Sequence, residues 1–243
     1  MRTVREIESI ALKARKRLGL LQGGFHEPQL RKRLEDSGFF LFYYPFGESG
    51  ISGAVYNSGE VKVLVINSSK SIGRQNFTVA HELGHIFLHN IENMVEILGD
   101  ESSNKEKEAD RFASFFLMPS DDVTAIVQTD GGIVFDAVEV MEISQMFRMS
   151  YSGTLARLKE IFGANSIPSL LWQKKPVQLA AMLNMDRRLY EPTNEKYWST
   201  NKYVSAAYKA LEKERISFSR FLELMKEIGL DGYEVLDNMR ETD

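Results

Sequence analysis

The segment 77–89 reads FTVAHELGHIFLH, and it narrows the folds open to this chain more than any other stretch. Apolar residues at 77, 79, 80, 83, 86, 87 and 88 predict a helix buried on most sides. Three of the chain's four histidines nonetheless sit in it, at 81, 85 and 89, with Glu82 directly after the first. Burying imidazoles and a carboxylate costs several kcal/mol, on the order of 2–7 for each unpaired group, so something must pair with them. The fold therefore has to build an interior polar site around this helix.

His81 and His85 lie one turn apart on one helical face, roughly 6 Å along the axis. That spacing lets both rings reach one cation at about 2.0–2.1 Å. Glu82 stands beside them, where it can act as general base on a cation-bound water; this is the HExxH pattern. His89 lies about 12 Å along the axis from His81 and is rotated away, so an unbroken helix cannot bring both to one ion. His89 is accordingly read as a partner of a ligand or as a cap.

A third protein ligand is required for a catalytic zinc, and the next predicted helix, 104–118, offers Glu106, Glu108 and Asp110. Glu108 shares its ridge with Phe112 and Phe115, which predicts burial, whereas Glu106 shares a ridge with Asp110 and is expected to face solvent. Glu108 is the expected metal ligand. The alternative is a surface pairing with Arg111, three residues on, worth a few tenths of a kcal/mol (~0.2–0.5).

Around this pair the chain reads as helices, a small sheet, then more helices, an α+β arrangement. Val4, Ile7, Ala11, Ala14 and Leu18 mark an amphipathic helix over 3–18, and Thr3 with Glu6 forms a capping box. A short helix follows Pro28. Strands are expected at 39–44, 51–57 and 61–67, the last two joined by a turn at Asn57-Ser58-Gly59-Glu60, giving an antiparallel type of sheet. The 61–67 strand is expected to present an edge along which a peptide substrate can lie. Residues 68–76 and 90–103 read as loops, and further helices are expected at 136–147, 151–162, 200–213 and 217–228. The division expected is a peptidase core at 1–120, a helix-turn-helix-like segment at 121–165 and a C-terminal sensor or docking region at 166–243.

Composition removes other functions. Without cysteine there is no disulfide, thiolate metal site or cysteine nucleophile. The first residues alternate charge and apolar character, unlike a secretory signal, and no apolar run reaches the ~18 residues of a membrane span. A cytoplasmic location is expected. The net charge of −4 gives no general affinity for nucleic acid, although residues 1–35 hold nine Lys/Arg against four Glu. That basic stretch reads as a solvated helix face.

Together, Val65-Ile66-Asn67, Arg74, FTVAHELGHIFLH (77–89), EADRFASFFLMP (108–119) and ISQMFRMSYSGTLARLKEIFG (143–163) resemble the ImmA/IrrE family of metallopeptidases over about residues 1–165. The resemblance implies a zincin-like core with His81, His85 and Glu108 as metal ligands and Glu82 as base. It also implies a helix-turn-helix repressor of the XRE type as protein substrate, whose cleavage derepresses stress, phage-related or defence genes. The implied cofactor is Zn²⁺, with Mn²⁺ or Fe²⁺ compatible with the same N/O donors. Tyr43, Tyr56 and Tyr151 are candidate oxyanion donors by residue type. The competing reading is a metal-containing regulator that binds DNA or a repressor without cutting; against direct DNA contact, the second helix of the 136–163 pair carries just Arg157 and Lys159.

Overall fold

The computed structural model describes residues 2–20, 23–89, 94–97, 103–127 and 133–240, which fall into two compact units, 1–196 and 197–243. The first unit opens with α1 (Val4–Arg17) and α2 (Glu27–Asp36). Thr3 caps α1 as expected: Glu6 N–H donates to its hydroxyl and Glu6 accepts from the Thr3 backbone. Next come β1 (Phe39–Tyr44), β2 (Gly53–Asn57) and β3 (Lys62–Asn67), then α3 (Ile72–His89), β4 (Met94–Ile97) and α4 (Asn104–Leu117). Helices α5 (Ser120–Ile126), α6 (Ala137–Phe147), α7 (Tyr151–Phe162) and α8 (Pro176–Met182) follow.

Within this unit the strand order is β4-β2-β3-β1. The β2–β3 hairpin forms at the expected turn, where Ser58 N–H donates to Val61 O and Gly59 takes φ +81°. Pairing is antiparallel for β2–β3 and β2–β4, but β1 runs parallel to β3, with Phe39 opposite Lys62 and Tyr44 opposite Asn67. The sheet is thus mixed, because the chain reaches β2 across 45–52 and returns antiparallel into β3 beside β1. The expectation that 61–67 forms an edge is overturned: β3 lies between β1 and β2, so its ladder groups are already paired.

Strand alternation buries Phe39, Leu41 and Tyr43 of β1, Val55 of β2, and Leu64 and Ile66 of β3 on one face. Helix α3 packs on β2 and β3, α2 on β1, and α4 packs against α3 and α1. Phe87, Phe112 and Phe116 stack through the α3–α4 interface, with centroids 6.0 and 5.8 Å apart.

Helix α3 begins earlier than its polar start suggests. Arg74, Gln75 and Asn76 read as loop, yet they form its first turns because distant partners satisfy them: Gln75 donates to Lys70 O and Thr193, and Asn76 to Arg148 O. Residues 94–97, expected within a loop, pair as β4; the rest of that expected loop, 90–93 and 98–102, lies outside the described residues. The stretch 166–196, assigned by sequence to the C-terminal region, groups with the first unit. There Tyr190 hydroxyl meets Ser144 at 2.9 Å and Asp186 pairs with Arg148 at 3.1 Å.

The second unit holds α9 (Thr200–Glu212), α10 (Phe218–Glu227) and α11 (Gly232–Arg240) around Ala207, Phe221, Met225 and Leu236. Among the described residues no helix is long and apolar enough to cross a membrane.

Candidate metal centre

Val79, Ala80 and Leu83 of α3 are fully buried and fix its roll against the sheet and α4. The opposite stripe then points His81, Glu82 and His85 into the interior, each no more than 2% exposed. Gly84 lets α4 come close: a Cβ there would lie 3.0 Å from Ala109 Cα and 3.2 Å from the Phe112 ring. Ala109 and Ala113, both fully buried, are the small residues of α4 on its stripe with Glu106. Close backbone approach therefore carries the Glu106 carboxylate to the two imidazoles.

His81 Nε2 and His85 Nε2 stand 2.9 Å apart, and the Glu106 oxygens lie 3.1 Å from the first and 3.3 Å from the second. A tetrahedral ion with bonds of about 2.0–2.1 Å would place its donor atoms roughly 3.3 Å from one another, so the triangle is of the right size.

The outer faces of both rings fix the proton positions. His81 Nδ1 lies 2.8 Å from Asp110 Oδ1, closer than its Nε2 lies to Glu106 at 3.1 Å, so with a cation on Nε2 the ring donates from Nδ1 to Asp110. His85 Nδ1 lies 3.2 Å from His89 Nδ1, while His89 Nε2 lies 3.2 Å from Glu108 Oε2. Glu108 accepts, so His89 carries its proton on Nε2 and offers a lone pair at Nδ1, to which His85 donates. Both Nε2 atoms face the Glu106 carboxylate. Burial, with His81 and His89 adding to it, drives the His85 pKa down to about 3, which keeps this ring neutral. Burial likewise lowers that of His89. Two imidazole nitrogens and a carboxylate, all buried and within 3.3 Å, make a donor set that fits a divalent metal ion.

The structure does not bring Glu108 to His81 and His85; the carboxylate it places there is Glu106. Glu108 accepts instead from the Arg2 backbone N–H at 2.6 Å, from the Arg2 guanidinium at 2.9 Å, and from His89. Both glutamates are buried, at 8% and 4% exposure, so burial does not separate them. Glu106 has Asp110 four residues on, which predicts a solvent-facing ridge, but its neighbours at three and seven are Ala109 and Ala113. Alanines are weak hydrophobic markers, yet opposite Gly84 they permit the closest helix approach. Asp110, which sequence reasoning also left in solvent, has a side chain 57% exposed and still meets His81.

Glu82 lies against the start of β2, its Oε1 3.5 Å from where a Cβ on Gly53 would stand. Of the three tyrosines, Tyr43 is buried under the Arg31 guanidinium, 4.2 Å from its ring centroid. Tyr56 is exposed on β2, and the buried Tyr151 hydroxyl has no hydrogen-bond partner among the described residues. None of them is brought to the histidines by a contact the structure shows.

Comparison with known families matches residues 34–159 to the IrrE N-terminal-like domain, a peptidase family. The match covers just over half the chain and spans the sheet, α3, α4 and the α6–α7 pair. No curated protein matches the chain.

Proposed function

Because this chain belongs to the peptidase family of the IrrE N-terminal-like domain, we propose that it is a zinc-dependent endopeptidase with His81, His85 and Glu106 as ligands and Glu82 as general base. The observation that carries this reading is the convergence of two imidazole nitrogens and one carboxylate, with the outer nitrogens held by Asp110 and His89.

A divalent ion bound there supplies a Lewis acid and makes a coordinated water acidic enough to attack near neutral pH. Glu82 takes the proton of the attacking water and returns it to the departing amine as the peptide C–N bond breaks. His81 and His85 keep their orientation throughout, held by Asp110 and by His89. The site is buried among α3, α4 and the sheet, which limits competing water. The proposed substrate is a helix-turn-helix repressor of the XRE type, whose cleavage would release stress, phage-related or defence genes; this rests on the family resemblance.

A DNA-binding regulator is disfavoured. Arg157, the first of two candidate phosphate contacts, is 2% exposed, donates to Met118 O at 3.0 Å and to Ser120 Oγ at 2.7 Å, and stacks on Phe115. It braces the core. The test is Glu82→Gln, which keeps size but removes the base. Cleavage of a candidate repressor should fall by about 10²–10⁴ while Zn²⁺ and repressor binding persist. Equal derepression in cells by parent and variant would overturn the enzymatic reading in favour of sequestration.

A further inference from the structure

Beyond the three donors, the site continues as an ordered chain of hydrogen bonds to the start of the polypeptide. His85 Nδ1 meets His89 Nδ1, His89 Nε2 meets Glu108 Oε2, and Glu108 is gripped by both the backbone N–H and the guanidinium of Arg2. The same guanidinium also donates to Leu88 O, one residue before His89 in α3. Every group in this chain has a single role compatible with its neighbours: Arg2 donates, Glu108 accepts, His89 donates outward and accepts inward, and His85 is left with its lone pair on the inner nitrogen.

Building on the proposed metal centre, we infer that His89, Glu108 and Arg2 form a positioning relay, in which the segment before α1 fixes the tautomer and ring orientation of His85 for the cation. His89 carries the relay, because it links the His85 ring, one turn before it on α3, to a carboxylate on α4. Its ring is 4% exposed and centred 5.3 Å from that of His85, so it has little freedom to point elsewhere. The two ligand histidines are thus supported differently. His81 leans on Asp110, part of the same helix as Glu106 and open to water, whereas His85 depends on a buried relay ending at Arg2. Anything that displaces Arg2 would loosen His85 and leave His81 untouched.

The experiment measures Zn²⁺ affinity by chelator competition, with the visible spectrum of the Co²⁺-loaded full chain as a second readout. His89→Phe keeps a planar ring but no nitrogen; its Zn²⁺ affinity should fall roughly 10–100-fold and its Co²⁺ bands should shift. His89→Gln can accept from His85 and donate to Glu108, so it should recover most of the loss. Arg2→Ala removes the half-exposed end and should weaken Zn²⁺ by a few-fold. In His89→Phe it should add nothing further, since the relay is already cut. Circular dichroism and melting of the metal-free proteins identify a variant that fails to fold, and Arg2→Ala then carries the test. Parent-like Zn²⁺ affinity and Co²⁺ bands in folded His89→Phe, or additive losses in the double variant, would overturn the relay while leaving the metal centre standing. A parent that binds no Zn²⁺ would instead remove the proposed function itself.

Discussion

The α3–α4 pair and the α6–α7 pair both bury charged side chains, and they treat them in opposite ways. In α6–α7, Arg148 at 5% exposure is held by Glu27 at 2.7 Å and Asp186 at 3.1 Å, and its own carbonyl accepts from Asn76. Arg157 likewise donates to Met118 O, Ser120 Oγ and Glu160. Donors meet acceptors throughout, so these residues brace the fold. In α3–α4, two imidazole nitrogens and a carboxylate crowd together within 3.3 Å, all of them groups that can ligate a cation. Burial of charge alone therefore says little about function. The balance of donors and acceptors tells a brace from a site.

That contrast can be broken most directly at Glu106. Glu106→Gln should reduce Zn²⁺ affinity by more than the roughly 100-fold upper range for losing an outer partner, whereas Glu108→Gln should stay within about 10–100-fold. The reverse order, read by chelator competition, would return the third-ligand role to Glu108.

On the other side, Arg157→Met should lower unfolding stability by about 1–3 kcal/mol, because Met118 O and Ser120 lose a buried donor. Zn²⁺ affinity should not change. A loss of metal with no loss of stability would mean that α7 belongs to the site.

Acid should separate the two regions without mutation. His85 titrates near 3 in the folded state against 6.5 when free, so the unfolded chain takes up a proton that the native chain refuses. Its contribution is intact above pH 6.5 and is lost as pH falls toward 3. Asp186, held down to about 2 by Arg188 and then Arg148 against burial, contributes above its free value of 3.8 and is lost toward 2. The melting temperature of metal-free protein should therefore fall between pH 6.5 and 4 while the Arg148 network holds, and bound Zn²⁺ should raise the whole curve without removing its slope. A melting temperature flat across this window would count against a neutral, buried His85.

The smallest effect is expected from removing 197–243. A chain ending at Lys196 keeps every residue of the α3–α4 site and the Asp186 and Tyr190 braces, so its Zn²⁺ affinity should match the parent within error. A folded but metal-free truncation would show that the second unit completes the site.

Much of the site was legible because it is local. His81, Glu82 and His85 share one face of one helix, and helical spacing alone puts two imidazoles within reach of one ion. The turn at Asn57–Glu60, the capping box at Thr3 and the helices flanking Ser150 follow in the same way from residues a few positions apart. The parallel β1–β3 register, the first turns of α3 and the strand at 94–97 were not legible, because each depends on a partner far along the chain. The carboxylate that meets His81 and His85 belongs with them. On α4, Glu106 and Asp110 differ by about 40° of azimuth and Glu108 lies about 160° from Glu106, so any of the three can face inward until the helix is docked. Docking is decided where Gly84 receives Ala109, a contact between two small residues that hydrophobic patterning hardly registers. Spacing within a helix is fixed by the backbone, and the sequence alone determines it. Rotation of one helix against another is fixed by packing, and only the tertiary structure could choose Glu106.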